Sequence, residues 1–366
     1  MTMQDTGVGQ VAAGDRNTML AEVRNKIDQA LTEFLDCRAP QFTGSQPLQQ
    51  IFGLLRQFVL GKGKRLRPLF CYIGWRAAGG TDCEEIARAA ASIELFHAFA
   101  LMHDDIMDRS VLRRGQPALH RSLSDLHGSH GWRGQPERFG ANVAILCGDL
   151  CLSYSDELLC RSGLPSQRIA AAQDVLHQMR AELMIGQNLD LLYQATGTTL
   201  EGALTVVRLK AAKYTVERPL QVGGILAGAG DHLLEAYSAF AIPLGEAFQL
   251  RDDVLGVFGD PRVTGKPAVD DLREGKPTAM MAIAAERATS EQLDRIAELH
   301  GNPGLDDVGA AQLREVITAS GARDIVECMI SDRHGQALTA LKAAPIPGDV
   351  QDVLLNLAML AVDRAA

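Results

Sequence analysis

The chain has 366 residues, of which 46% are hydrophobic, and a formal charge of −9. That is enough apolar material for a large core, and the wrong charge balance for binding nucleic acid by counterion release. Aromatic residues make up only 5% while Ala and Leu are abundant, which favours packed helices over β-branched, aromatic-rich sheets, so the expected fold class is all-α. Seven cysteines, an odd number at irregular spacing, fit free thiols of a reducing compartment such as the cytoplasm better than a disulfide framework. Cys147 and Cys151 stand one helical turn apart and are expected to be core thiols, because zinc would need two further ligands at matching spacing. No apolar run is long enough for a membrane span: residues 220–230 reach about half the length, and Asn356 interrupts 353–362.

In chain order, the opening MTMQDTGVGQVAAGD is acidic and glycine-rich rather than basic and then apolar. It is therefore no signal peptide, and residues 1–16 are expected to form a disordered tail. Leu20, Val23, Ile27, Leu31 and Phe34 repeat at helical spacing over 17–36, and a second helix is expected over 47–60, stopped by Gly61-Lys-Gly-Lys. Pro68 suits the first turn of a third helix, which puts Lys62, Lys64, Arg65 and Arg67 at a helix entrance. Thr81, with Glu84 three residues on, has the signature of a cap for a helix reaching about residue 108. Residues 109–138 are rich in Gly, His, Arg, Ser and Pro and are expected to form a long polar connection broken by a short helix. Four long helices, hydrophobic nearly all round, are expected over 141–161, 166–194, 200–229 and 232–257. A loop follows over 259–277, then amphipathic helices to the C-terminus. With no repeat or linker to divide it, 17–366 is expected to be one large helical domain.

Two acidic motifs carry the chemistry. His103-Asp104-Asp105-Ile106-Met107-Asp108 puts Asp104 and Asp108 on one helical face with Asp105 at its shoulder. Three carboxylates in one turn repel one another at a helix C-terminus, where the macrodipole already disfavours anions, so a cation should offset them. Carboxylates used sparingly, with room for phosphate oxygens, suit magnesium; taken alone, the motif fits a solvated acidic helix end better. The second motif is Phe248-Gln249-Leu250-Arg251-Asp252-Asp253-Val254-Leu255-Gly256, in which Gln249, Asp252, Asp253 and Gly256 share one face of an apolar helix. Buried charge there is costly unless paired or metal-bound. Two such acidic ends facing each other would make a polynuclear metal cage for a diphosphate. Asp270-Asp271 and Asp306-Asp307 are weaker pairs, one in a loop after Lys266 and the other an ordinary helix start. Basic side chains suited to an anion accompany the acids: Lys64, Arg65 and Arg67, then Arg113-Arg114, then Lys210, Lys213 and Lys266.

On these motifs the chain resembles the polyprenyl synthetase family, the trans-isoprenyl diphosphate synthases, from about residue 52 to 276 and more loosely to the end. The resemblance implies an all-α bundle of the isoprenoid synthase type with its active site in a central cavity, and a homodimer. It implies that Asp104, Asp108 and Asp252, supported by Asp105 and Asp253, hold three magnesium ions on an allylic diphosphate, which Arg113, Lys210 and Lys266 also grip. Lys64, Arg67, His97 and Arg114 match the isopentenyl diphosphate site, Gln249 a residue near the reacting centre, and Gln187 and Asp190 a helix feature beside the metals. The implied reaction joins isopentenyl diphosphate head-to-tail to dimethylallyl, geranyl or farnesyl diphosphate through an allylic cation.

Two positions depart from the family pattern. The last Asp of the second motif is Gly256, and the Lys-Thr pair reads Lys210-Ala211, with Thr215 one α-helical turn on. Three other classes compete. A terpene cyclase would leave Lys64, Arg67, His97 and Arg114 without a purpose. A non-catalytic partner subunit of a heteromeric synthase would have eroded aspartates, of which Gly256 is the one sign. A helical scaffold with acidic helix ends is the third. Product length depends on the side chains before Asp104. Ala100 shares the aspartate face and is small, Phe99 flanks that face, and Phe96 lies one turn deeper. Resemblance to enzymes with Phe five residues and a small residue four residues before the motif implies geranylgeranyl diphosphate, C20, with farnesyl or longer chains as alternatives. Phe96 and Phe99 fit equally well as core rings.

Overall fold

The computed structural model describes residues 8–260 and 269–362. Lys266 and residues 1–7 of the expected tail lie outside the described residues. The chain divides into two compact units, Met1–Ala170 and Ala171–Ala366. Apart from one two-stranded hairpin, the regular structure among the described residues is helical.

In the first unit α1 (Val8–Arg38) passes through a 3₁₀ turn (Ala39–Phe42) into α2 (Gln46–Leu60), α3 (Leu66–Ala77) and α4 (Glu84–Met107). The boundary expected at residue 17 thus falls inside α1. Gly9 and Gly14 lower local propensity, but extending an existing helix costs far less than nucleating one. Ser45 caps α2 by accepting from the Leu48 amide. Thr81 does not cap α4: Cys83 holds that position, and the Thr81 carbonyl accepts from Trp75 Nε1 at 2.7 Å. The cause is the indole of Trp75, whose Nε1 would lie 2.2 Å from a Cβ at Gly80 and so claims the connection before α4.

The polar connection contains a hairpin, β1 (Leu112–Arg113) and β2 (Gln116–Pro117), and the short helix α5 (Leu119–Ser129). Next come α6 (Pro136–Cys160) and the start of α7 (Ser166–Thr196). Helix α4 packs on α6, α1 and α3, and its Ile86, Ile93 and Phe96 are sealed from solvent along with Ile27 and Leu31 of α1. The acidic motif therefore ends a helix whose body is anchored on several sides.

The second unit contains the rest of α7, then α8 (Leu200–Val207), a π-helical stretch (Arg208–Glu217), α9 (Arg218–Ala227) and α10 (Asp231–Phe258). After it come α11 (Asp270–Glu274), α12 (Ala279–Arg287), α13 (Ser290–Leu299), α14 (Asp307–Ala319), α15 (Ala322–Ala343) and α16 (Gly348–Val362). The single helix expected over 200–229 is therefore interrupted by π geometry. Pro219 lacks the amide that an α-helix would direct to the Thr215 carbonyl, which eases the change of register there. Two glycines make room for the wider stretch. A Cβ at Gly186 would stand 2.9 Å from Lys210 Cγ, and one at Gly245 would stand 2.3 Å from Ala212 Cα.

Thr199, Thr278, Thr289 and Asp306 cap the helices that follow them, and Thr289 forms a capping box with Gln292. Asp306-Asp307 is thus the ordinary helix start expected of it. Leu250 and Val254 of α10 share a core with Met280, Leu313, Ile317 and Ile330. Burial all round holds less well for α6 and α7, where Leu146 and Ile185 are 65% and 55% exposed. All seven cysteines are free, and no helix among the described residues is long and apolar enough to cross a membrane.

Because Gly245 meets backbone rather than a movable side chain, Gly245→Ala must shift the π-helical stretch. The expected cost is about 1–3 kcal/mol, measured as a lower midpoint in urea unfolding, whereas the open Gly335 tolerates the same change.

Candidate active site

The first motif closes α4. Asp104 and Asp105 belong to its last turn and Asp108 is its C-cap, with the Asp108 amide donating to the Asp104 carbonyl at 2.8 Å. Asp105 is buried and Asp104 partly so. A buried anion at the negative end of a helix dipole needs a cation, and the hairpin delivers one. Arg114 and Gly115 at its turn have φ of 55° and 75°, and Arg113 pairs with Gln116. Two left-handed residues in a two-residue loop match the twist of the strands. The tight reversal sends Arg113 back to α4. Its Nε donates to Asp105 Oδ1 at 2.7 Å, its Nη2 bonds the same oxygen, and Nη2 lies 3.6 Å from Asp104 Oδ2.

The other carboxylate oxygen, Asp105 Oδ2, is buried with no hydrogen-bond partner. Burial raises the Asp105 pKa, and Arg113 offsets this only in part. An orphaned carboxylate oxygen in a set of hard oxygen donors fits a divalent cation. Among the described residues no group of three or more His, Cys, Asp or Glu forms a ready-made metal cage.

A second basic group surrounds Glu94. Arg65, in the left-handed region at φ 51° just before α3, is buried and donates to Glu94 Oε1 at 2.7 Å, to Asp28 Oδ1 at 2.8 Å and to the Gly61 carbonyl at 3.1 Å. Arg114 Nη2 lies 3.7 Å from the same Glu94 oxygen. Gly63 makes this possible, since a Cβ there would stand 2.8 Å from Arg114 Nη1. Arg67 Nη1 meets His97 Nε2 at 3.1 Å. Burial first, and then the charges of Arg67, Arg114, Arg113 and Arg65, hold the His97 pKa well below its ordinary value, so its ring is neutral and Nε2 accepts from Arg67.

In the second unit Gln249 Nε2 donates to Asp253 Oδ1 at 2.8 Å on α10. Burial pushes the Asp253 carboxyl up to about 7, against that hydrogen bond. Lys210 donates to Asp190 Oδ2 at 2.5 Å, while Lys213 and Arg218 both bond Glu182. Burial opposes the Glu182 charge, and Arg218 and Lys213 outweigh it to hold the carboxyl below its ordinary value. The spacing of Thr215 from Ala211, one turn in an α-helix, has a different outcome here. Thr215 is buried but lies in the π-helical stretch, so four residues no longer make one hydrogen-bonded turn, and its hydroxyl does not stand where an α-helix would put it.

The structure therefore brings Arg113 to Asp104 and Asp105, Arg67 to His97, Lys210 to Asp190, and Gln249 to Asp253; Lys266 lies outside the described residues. Glu94, Glu182 and Arg218 join these groups without having been expected from the sequence. A lone carboxylate in the apolar run Ser-Ile-Glu94-Leu-Phe was the available signal for the first.

A family model for polyprenyl synthetases matches residues 49–316. The chain belongs to the polyprenyl synthetase family. It is 32% identical over 338 residues to the geranylfarnesyl diphosphate synthase of Aeropyrum pernix, covering 90% of this chain and 96% of that one. It is 30% identical over 313 residues to the geranylgeranyl diphosphate synthase of Methanosarcina mazei, covering 85% and 87%. The geranylgeranyl pyrophosphate synthase of Corynebacterium glutamicum, solved with isoprenyl diphosphate and magnesium, superposes with a TM-score of 0.91 at 38% identity over 94% of this chain and 99% of that one. The all-α isoprenoid synthase fold of the family is thus the fold of this chain.

The His97 environment has a consequence for pH. Its folded pKa lies below the ordinary 6.5, so below that pH the unfolded chain binds more protons and stability falls as acid is added. His97→Gln, which can still accept from Arg67, should flatten this part of the stability profile between pH 6.5 and the lower folded pKa. Urea unfolding across that range measures it.

Proposed function

We propose that this polyprenyl synthetase makes geranylgeranyl diphosphate by condensing isopentenyl diphosphate with allylic diphosphates. The observation that carries a two-substrate reaction is the division of the basic side chains in the first unit. Arg113 is bound to the aspartates, whereas Arg67 with His97 and Arg114 with Glu94 form a separate group. One diphosphate needs only the first group. The second group, with Lys64, is the site of isopentenyl diphosphate, which disfavours a one-substrate cyclase.

In this proposal Asp104, Asp105, Asp108, Asp252 and Asp253 hold three magnesium ions, and Arg113, Lys210 and Lys266 grip the allylic diphosphate. Magnesium, when bound, neutralises charge on the departing diphosphate and so assists ionisation of the allylic C–O bond. Neutral His97 fixes the guanidinium of Arg67, so the arginine charge is spent on the ligand rather than on an imidazolium partner. Gln249, tied to Asp253, stands near the reacting carbons. The double bond of isopentenyl diphosphate attacks the allylic carbon, a C–C bond replaces the broken C–O bond, and the proton lost passes to the released diphosphate. Apolar walls keep water from the cation. The protein acts as a cytoplasmic homodimer. Its support is the exposed apolar surface: Ile145 and Leu146 on α6, and a stripe on α7 formed by Met184, Ile185, Leu191 and Leu192.

The C20 product rests on residues before Asp104. Phe96 is sealed in the core and Phe99 is 8% exposed; their rings lie 5.5 Å apart, and Phe99 meets the His103 ring at 4.6 Å. Ala100 is only partly buried and small, beside this run of tilted aromatic rings. Farnesyl diphosphate and longer products are the alternative outcomes.

Asp104→Asn and Asp252→Asn should each lower turnover by several orders of magnitude with helical content unchanged, in an assay of labelled isopentenyl diphosphate with magnesium and an allylic partner. Asp306→Asn, which preserves a helix cap, should not; undiminished turnover in the first two would remove the metal assignment. Phe99→Ala and Phe96→Ala, analysed by product chain length, should lengthen the product if the stack is the stop. A loss of about 3–5 kcal/mol with an unchanged product would make the rings core residues only.

A further inference from the structure

Glu94 lies in the body of α4, ten residues before Asp104, and is only 3% exposed. A carboxylate buried there is costly unless it is paired, and the reaction as described gives it nothing to do. Its Oε1 accepts from Arg65 Nη1 at 2.7 Å and faces Arg114 Nη2 at 3.7 Å. Arg65 and Arg114 are also two of the three non-glycine residues with left-handed backbone among those described. Backbone strain of this kind persists where the surroundings over-determine it, and it gathers at binding sites. Here two strained residues deliver their guanidinium groups to one buried oxygen.

The two arginines stand differently toward Glu94. The Arg65 side chain is 2% exposed, and its three nitrogens donate to Glu94, to Asp28 of α1 and to the Gly61 carbonyl. It is fully engaged within the protein and closed to a ligand. The Arg114 side chain is 28% exposed, and its 3.7 Å separation from Glu94 is too long for a hydrogen bond. Its guanidinium is drawn toward Glu94 without being bound, so its donors are kept for an anion. Burial lowers the Arg114 pKa, Glu94 opposes this, and Arg65, Arg113 and Arg67 add to the lowering. Glu94 is thus the anion that holds a guanidinium in place among others that repel it. His97, which meets Arg67, is one turn further along α4, so one stretch of α4 places both arginines of the second basic group.

We propose that Glu94 is a positioning residue for isopentenyl diphosphate: seated by Arg65, it sets where the Arg114 guanidinium waits, and it does not touch the substrate. This rests on the reading of Arg67 and Arg114 as the isopentenyl diphosphate group. Arg65 has a matching part. By satisfying Glu94 at hydrogen-bonding distance it keeps that carboxylate from taking Arg114 as a full ion-pair partner, and through Asp28 it ties the arrangement to α1.

The test is steady-state kinetics of the full-length protein, with isopentenyl diphosphate varied at saturating geranyl diphosphate and then the reverse. Glu94→Gln keeps the shape of the side chain and should raise KM for isopentenyl diphosphate by roughly tenfold, with KM for geranyl diphosphate and kcat little changed. Glu94→Asp, which keeps the charge on a shorter stem, should fall between. A mere negative charge beside an anion site would act the other way, because its removal would lower KM. An unchanged or lower KM for isopentenyl diphosphate in Glu94→Gln therefore overturns the proposal. So does an equal rise in both KM values, which would make Glu94 a structural residue of α4. Arg65→Met combined with Glu94→Leu replaces the buried pair with apolar side chains, a change that buried pairs often tolerate. It decides the matter if Glu94→Gln does not fold, and it too should raise KM for isopentenyl diphosphate alone. Arg67→Ala and Arg114→Ala check the site itself. If neither raises that KM, the reading of the second basic group fails together with this inference; if both do and Glu94→Gln does not, the inference alone fails.

Discussion

Three carboxylates gathered at the C-terminal end of a buried helix form the constraint around which the first unit is arranged. The helix dipole, mutual repulsion and burial all oppose Asp104, Asp105 and Asp108. Part of the offset is provided by Arg113, which the hairpin turn at Arg114 and Gly115 sends back to the aspartates. The non-glycine residues with positive φ among those described are Arg65, Arg109 and Arg114, each at a loop that flanks α3 or the acidic end of α4. Left-handed backbone in a bulky residue persists only where the surroundings over-determine it. Here they do so through Glu94 and Asp28 for Arg65, and through the hairpin for Arg114. Asp105 Oδ2 is still left without a hydrogen-bond partner, an acceptor of the kind that fits a divalent cation.

The second unit solves a different problem, that of bringing lysines close to a helix lined with small residues. A π-helical stretch widens the turn that carries Lys210 and Lys213, and Gly186 and Gly245 accept its extra girth. The lysines are then paired with Asp190 and Glu182 on α7. Ion pairs of this kind store little stability because desolvation cancels much of the attraction. They hold the lysine side chains against α7 in one orientation.

Much of the site was legible from local pattern alone. Both aspartate motifs, the Lys-Arg entrance to α3 and the Arg113-Arg114 pair appear as runs of charge in apolar helical sequence, where polar groups have few reasons to be. Less legible were the groups whose meaning comes from a distant partner. Glu94 is one carboxylate in an apolar run until Arg65 and Arg114 reach it. Thr81 has the composition of a cap but loses that role because Trp75 occupies the space beside Gly80. Thr215 has the right spacing from Ala211 only in an α-helix, and the stretch is not one.

The amino-acid sequence by itself determined the all-α class, the order of the helices, the two acidic helix ends and the basic residues that accompany them. Each of these follows from periodicity, propensity and capping within a few residues along the chain. Tertiary structure alone decided which arginine neutralises which carboxylate, where the helix after Val207 takes π geometry, and that Asp271 stands in the space above Gly256. The physical reason is that these outcomes depend on volume and desolvation shared between residues far apart in the chain. A missing Cβ is an absence in the sequence, and its effect is set only when another element packs into the space.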